Sequence, residues 1–423
     1  MKTLLLLLAL SSPVCAASWT LDGYLKEVYA VSHDLKTAQE SVELSRSSYI
    51  SELIAFYLPA VTLSASNTPY SVFNSPRLQF RRDKTFAGVS ASLNLFNNFK
   101  DKLGLDSAKL DRDATEVSLF SARQDLTISA LNAYYSVLRQ KQLLKVAQAS
   151  QVSYGEQYKK AQAYYKDGLK SYSDVLKSEL NLRTSELSAM SSAENYRNSM
   201  MALNALIYRE PEEEADLAEI AGVSDFSMPD LRGDLAFALA NRPDLQKDRL
   251  VLKQKEISRK VAYIGWFPDL SVDAAYSHQE FLGPVIPGTV NPTYSVGISL
   301  SLPIGPGTYS DIHANLAAGI ALAASRRALQ EAELTAKREL ITAWHSRELA
   351  LKSYDVAKMT AEISAQNLAI VKEKYSEGKA GMIELDDAQN DDLNSQNNLA
   401  NSFYDLLLNR VSYDRTAGRK IWR

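Results

Sequence analysis

The sequence predicts a mainly α-helical chain built from two tandem copies of one unit, each a strand pair followed by a long coiled-coil helical hairpin, with strands suited to a transmembrane β-barrel. Three observations predict it. Shifted by about 210 residues, the chain matches itself along nearly its whole length beyond residue 17. Four segments of about ten residues alternate apolar with small polar side chains, and apolar positions recur three and four residues apart through long helical stretches.

In chain order the first element is a leader. Met1-Lys2-Thr3 precedes the run "LLLLLAL" and then "SSPVCAAS", a basic start, a short apolar core and small residues around a cleavage point, as in a secretory signal peptide spanning 1–17. Cleavage there removes Cys15, the sole cysteine of the 423 residues; lipidation of Cys15 is the alternative, against which stands the order Ser12-Pro13-Val14. No other run approaches the roughly 20 apolar residues of a membrane helix. With 47 basic against 50 acidic residues, there is no basic field to attract nucleic acid. Glycine and proline are scarce, 17 and 13, which suits long regular elements.

The first copy covers 18–207 and the second 231–418, with a C-terminal tail at 419–423. "SHDLKTAQ" (Ser32 to Gln39) corresponds to "RPDLQKDR" (Arg242 to Arg249), "YLPAVTLSAS" (Tyr57 to Ser66) to "WFPDLSVDAA" (Trp266 to Ala275), and "GVSASLNL" (Gly88 to Leu95) to "GISLSLPI" (Gly297 to Ile304). Between the copies, 208–230 is acidic and broken by Pro211 and Pro229, and reads as a linker.

Each copy runs helix, strand, strand, very long helix, glycine break, shorter helix. Strands are expected at about 57–66 and 86–96, then 267–278 and 294–304. Val61, Leu63 and Ala65 lie on one face against Thr62, Ser64 and Ser66; Val89, Ala91, Leu93 and Leu95 oppose Ser90, Ser92 and Asn94; the second copy repeats both patterns. Such alternation fits either a half-buried soluble sheet or barrel strands with lipid outside and water inside. Two features favour the barrel: about ten residues is the length that crosses a bilayer at a tilt, and each pair is joined by a long polar or Pro/Gly-rich loop, Asn67 to Thr85 and Gln279 to Thr293. Four strands cannot close a barrel, since small ones need about eight, so several chains would have to share one.

The long helix of the first copy, Asp101 to Asp167, covers 67 residues, roughly 100 Å at about 1.5 Å per residue. The helices Leu21 to Phe56 and Ser171 to Ile207 together match that length end to end. In the second copy Ala350, Tyr354, Ala357, Ala361, Ser364, Leu368, Val371 and Tyr375 form a heptad seam; its counterpart is Gln140, Leu144, Ala147, Gln151, Tyr154, Tyr158, Ala161 and Tyr165. A sealed two-stranded coil prefers leucine and isoleucine there. Small and polar seams suggest helices laid side by side in a wall, with an ordinary bundle core as the alternative. Both hairpins break at glycine, in "YYKDGLKSYSDVLKSE" (Tyr164 to Glu179) and "KYSEGKAGMIELDDAQ" (Lys374 to Gln389).

Signal peptide, duplicated unit, strand pairs and the Tyr-x-x-Gly break followed by "DVL" or "ELDDAQ" together resemble the outer-membrane efflux family typified by TolC, along essentially the whole chain after the leader. The resemblance implies a homotrimer with a twelve-stranded barrel in the outer membrane of a Gram-negative bacterium and a twelve-helix periplasmic tunnel. It implies a passive exit duct for a tripartite efflux pump or type I secretion system. Its partners would be a periplasmic adaptor (membrane fusion) protein and an inner-membrane pump of the RND, ABC or MFS type, with outer-membrane lipid around the barrel. The glycine breaks become the tunnel's periplasmic tips, with Gly168, Leu169, Ser171, Gly378, Lys379 and Gly381 as the turns on which the adaptor docks. Carried over by position, Glu384 and Asp387 form the selectivity ring, and Tyr375 and Asp174 form a latch between the hairpins. An arginine expected two residues after the second glycine is Ala380, so the latch would be weaker or would use Lys379 or Lys170.

An enzyme is the competing class, and the residues offer it little. The four histidines, His33, His278, His313 and His345, are scattered without an HExxH pair, and there is no phosphate-cradling glycine loop. Neither a cofactor nor a metal is expected. A third reading, an exported coiled-coil adaptor without a barrel, accounts for the helices and leader but leaves the strands unexplained.

Overall fold

The computed structural model describes residues 19–68, 71–74, 78–81, 84–219, 227–265, 267–281, 292–302 and 306–422. The leader at 1–17 lies outside them, as do 220–226 of the expected linker and 303–305 at the end of the last expected strand. The first copy gives α1 (Leu21–Val31), α2 (His33–Tyr57), β1 (Ala60–Thr68), β2 (Ser71–Asn74), β3 (Leu78–Arg81), β4 (Lys84–Phe96), α3 (Lys100–Lys166) and α4 (Tyr172–Leu206). The second gives α5 (Leu231–Asn241), α6 (Pro243–Ile264), β5 (Asp269–Phe281), β6 (Thr293–Ser301), α7 (Pro306–Ser376) and α8 (Met382–Thr416).

Two features differ from the expectation. The helix leading into each strand pair is broken, at Ser32 and at Arg242. Ser32 accepts from the Leu35 amide through its hydroxyl, starting a new helix as an N-cap, and Arg242 precedes Pro243, which holds the residue before it out of the helical region. The stretch Asn67 to Thr85, expected to be a loop, contains the antiparallel hairpin β2–β3.

The remaining strands form one antiparallel sheet in the order β1-β4-β5-β6, and its register sorts the side chains by face. Leu63, Val89, Tyr276 and Tyr294 make one row across all four strands, and Val61, Ala91, Ala274 and Val296 the next. Leu93, Val272 and Ile298 continue it, and a bulge at Asn94/Phe96 brings Phe96 opposite Leu270 and Leu300. The other face carries Thr62, Ser90, Ala275 and Ser295, then Ser64, Gly88, Ser277 and Thr293, then Ser92, Asp273 and Gly297, then Asn94, Ser271 and Ser299, with Ser66 and Phe86 paired toward the far end. The apolar face is uncovered: Leu63 is 79% exposed, Val296 80% and Leu300 72%.

The chain divides into two compact units, Met1–Thr37 with Phe120–Arg242 and Leu334–Arg423, and Ala38–Leu119 with Pro243–Glu333. The sheet belongs to the second. The first holds the principal core, around the fully buried Tyr24, Val28, Tyr134, Val137 and Leu203. The start of the expected linker is pinned to that core. The Tyr134 hydroxyl donates to the carbonyls of Trp19 and Ala218 at 2.9 and 2.8 Å, and the buried Asn204 amide donates to those of Glu210, Pro211 and Glu213. At the C-terminus Tyr413 donates to Asp234 at 2.5 Å, and Arg419 pairs with the same carboxylate.

In both hairpin turns the end of the long helix is closed by backbone bonds. Gly168 (φ 73°) donates to the Tyr165 carbonyl and Leu169 to that of Tyr164; Gly378 (φ 75°) and Lys379 repeat this with Tyr375 and Lys374. Each is the paired reverse bonding that ends a helix with a left-handed residue. Nothing lies within 4 Å of a Cβ built on either glycine, so glycine is needed for its backbone and not for space. Replacing Gly378 by alanine is expected to cost about 1–2 kcal/mol and by asparagine less, read as faster hydrogen exchange at the Gly378 and Lys379 amides; equal exchange in all three would contradict it.

Candidate functional site at the helix turns

The two turns are capped differently. Ser171, N-cap of α4, accepts from the Asp174 amide at 3.3 Å, and Asp174 accepts from the Ser171 amide at 3.2 Å, a complete capping box. At the matching place Gly381 caps α8 with no side-chain bond, in ordinary extended backbone. Leu169 is exposed, and Lys379 pairs with Glu377 at 2.7 Å.

Beside the second turn, Val371, Tyr375, Ala380, Met382, Leu385 and Ala388 form a buried cluster that Tyr164 and Leu368 flank. Ala380 is part of this packing. The expected hydrogen bond between Tyr375 and Asp174 is not made. Asp174 is engaged in its own cap, and the buried Tyr375 hydroxyl has no partner among the described residues. Burial, with a smaller contribution from the nearby Asp174 charge, raises the Tyr375 phenol above its usual pKa. From the first hairpin Tyr375 is met by the Tyr164 ring, 6.4 Å away between centres, and by Lys170, whose Nζ lies 5.1 Å from the ring centre, a cation–π contact.

Glu384 and Asp387 both stand exposed on α8, and neither bonds to a described residue. The carboxylate between them, Asp386, turns inward and is 8% exposed. It pairs with Lys177 at 3.2 Å, accepts from Asn181 at 2.7 Å, and lies 3.4 Å from the Asn390 amide. Tyr154 donates to Asn390 at 3.2 Å, and burial together with the Asp386 charge pushes its phenol up to about 12. Gln389 donates to Ser153 and Gln157 to the Met382 sulfur. Thus α8 is tied to α3 through Ser153, Tyr154 and Gln157, and to α4 through Lys177 and Asn181. Sequence reasoning missed Asp386, although Met382, Leu385, Asp386 and Gln389 stand at i, i+3, i+4 and i+7, the spacing of a buried helix stripe.

The seam also differs near this turn. Ala147, Tyr154 and Ala161 are buried as expected. Gln157 and Tyr164 take the inner places expected of Tyr158 and Tyr165, while Tyr165 turns outward against Tyr172 with ring centres 5.4 Å apart. Gln157 faces Met382 and Tyr164 faces Tyr375, so the second hairpin packs on the opposite flank of the row.

Elsewhere, His33 stacks on Tyr208 at 4.5 Å and His345 lies 3.8 Å from Glu348. Among the described residues no group of His, Cys, Asp or Glu could hold a metal ion, and no helix is long and apolar enough to cross a membrane.

The chain matches the family model of outer membrane efflux proteins over residues 24–207 and 235–419, two segments that follow the duplication. No curated protein matches it significantly. Among solved structures it is similar to the Campylobacter jejuni CmeC outer membrane channel, at 18% identity and a TM-score of 0.81, over 94% of this chain and 85% of that one. It is similar to the outer membrane protein VceC of Vibrio cholerae, at 17% identity and 0.80, over 95% and 96%. It is also similar to the open state of the Neisseria gonorrhoeae MtrE outer membrane channel, at 18% and 0.79, over 95% and 90%. These likenesses concern the fold; the paired family match, over a duplicated sheet and hairpin, shows that the chain belongs to the outer membrane efflux protein family.

Proposed function

We propose that three copies of this chain form a passive exit duct through the outer membrane, serving an inner-membrane pump through a periplasmic adaptor. The observation that carries the reading is the uncovered apolar face of the four-stranded sheet, backed by a face in which serine, threonine, asparagine and aspartate predominate, with Ala275 and Phe86 among them. That is the division a barrel strand needs between lipid and water. Among the described residues each outer strand, β1 and β6, pairs with one neighbour only, and the three antiparallel pairings leave them running in opposite directions. β6 of one copy can therefore meet β1 of the next in antiparallel register, and three such junctions remove every edge, as hydrocarbon requires.

The helix turns are then the periplasmic gate. Glu384 and Asp387, unpaired and exposed, supply the ring that favours cations where the opening narrows. Asp386 with Lys177 and Asn181 replaces the Tyr375–Asp174 bond as the latch. Among the described residues, the buried Tyr375 Oη, Gln157 Oε1 and Gln389 Oε1 at this tip have no hydrogen-bond partner. Gly168, Leu169, Ser171, Gly378, Lys379 and Gly381 face the adaptor. The chain carries no catalytic chemistry in this reading.

Three outcomes test it. Val296→Arg, mid-strand on the proposed lipid face in the row of Val61, Ala91 and Ala274, should destabilise the assembly in vesicles by about 2–4 kcal/mol, and Ser295→Arg on the other face by much less; equal tolerance would mean the sheet does not face lipid. Asp386→Asn removes a charge-assisted interaction of about 1.5–3 kcal/mol and should raise single-channel conductance in planar bilayers. Tyr375→Phe, which deletes an unpartnered hydroxyl, should leave conductance unchanged, and the reverse ranking would restore Tyr375 as the latch. Replacing Glu384 and Asp387 together by alanine should reduce cation preference and relieve block by multivalent cations; retention of both would place the constriction elsewhere.

A further inference from the structure

A groove of about 1000 Å³ opens where the strands meet the helices, lined by the first turns of α3, the end of α6 and part of α7. Four cations line it, Lys102, Arg259, Lys260 and Arg326, against two carboxylates, Asp106 and Glu256. Arg326 is paired with Glu256 at 3.3 Å. Lys102, Arg259 and Lys260 bond to no described residue, and all three are exposed, so the groove keeps unspent positive charge. It is continuous with the apolar face of the sheet. Phe96 stands opposite Leu270 on that face, its ring packs edge-on against Phe99 at 5.8 Å, and Phe99 lines the groove. Tyr263, also lining it, packs on Phe267 at 6.3 Å. Apolar strand ends, then aromatic rings, then free lysine and arginine is the order in which a protein surface passes from acyl chains through the interface to lipid phosphates.

We infer that this groove binds the headgroup of an anionic phospholipid of the periplasmic leaflet, the phosphate held by Lys102, Arg259 and Lys260 and the upper acyl chain lying over Phe99 and Phe96. The inference rests on the barrel reading above, which sets the groove at headgroup depth. The test is native mass spectrometry of the full-length protein in mild detergent, titrated with phosphatidylglycerol, phosphatidylcholine or glycerol 3-phosphate. Phosphatidylglycerol should bind about tenfold or more tighter than phosphatidylcholine, on about 1 kcal/mol for each cation near a lipid surface. The combined Lys102→Gln, Arg259→Gln and Lys260→Gln variant should lose that preference with its melting temperature unchanged, and Lys260→Gln alone should lose part of it. Equal binding of the two lipids, or an unaltered preference in the triple variant, overturns the inference. Equally tight binding of glycerol 3-phosphate overturns the lipid assignment in favour of a free phosphate site. Wild-type protein that conducts in bilayers yet shows no lipid preference sinks this inference alone, whereas protein that never inserts sinks the barrel reading and this inference with it.

Discussion

An unpaired strand edge costs several kcal/mol for each backbone group placed in hydrocarbon, and this chain carries a sheet with an edge on each side and an uncovered apolar face. Four strands can satisfy neither condition alone. The register resolves the rest: two apolar rows run unbroken across all four strands and two more across three, so a closure that joins β6 to β1 continues them into a belt. Duplication is what makes this economical. Each copy supplies one antiparallel pair and one hairpin, and the sheet order β1-β4-β5-β6 sets the two pairs side by side. The bulge at Asn94/Phe96 keeps Phe96 in line with Leu270 and Leu300, where its ring meets Phe99.

The helical part answers a different constraint. A seam of leucine would seal permanently, whereas this one reaches the turns with glutamines, tyrosines and alanines. Near the turns a small apolar cluster around Tyr375 and Met382 is joined by polar contacts: one buried carboxylate shared by a lysine and an asparagine, a tyrosine on Asn390, and a thioether accepting from an amide. Such contacts hold only while their partners are in place, because a buried polar atom left alone is costly. Directional bonds of this kind suit a joint that can open, as proposed above, better than a permanent seal.

Much of this was legible in the residues. The self-match exposed the duplication, and alternation in "VTLSAS" and "GVSASLNL" assigned faces that the register reproduces. Gly168 and Gly378 were legible as helix ends because a left-handed cap is a strong local demand. The breaks at Ser32 and Arg242 left ordinary signals, a capping serine and an X-Pro step, that a long helical reading overrode. The hairpin β2–β3 left weaker ones, since its strands are four residues each. Asp386 was hidden by its neighbours: three carboxylates in "ELDDAQ" look alike until packing selects one. Tyr164 could not be told from Tyr165, because the flank on which the second hairpin packs is a tertiary choice.

Everything above hangs on the sheet sharing its edges between copies, and hydrogen exchange of β1 and β6 backbone amides in protein extracted from outer membranes addresses that directly. If the barrel is shared, the outward-facing amides of both strands are as slow to exchange as those of β4 and β5. If those amides exchange at the rate of open edges while β4 and β5 stay protected, the sheet ends within the single chain and the account fails.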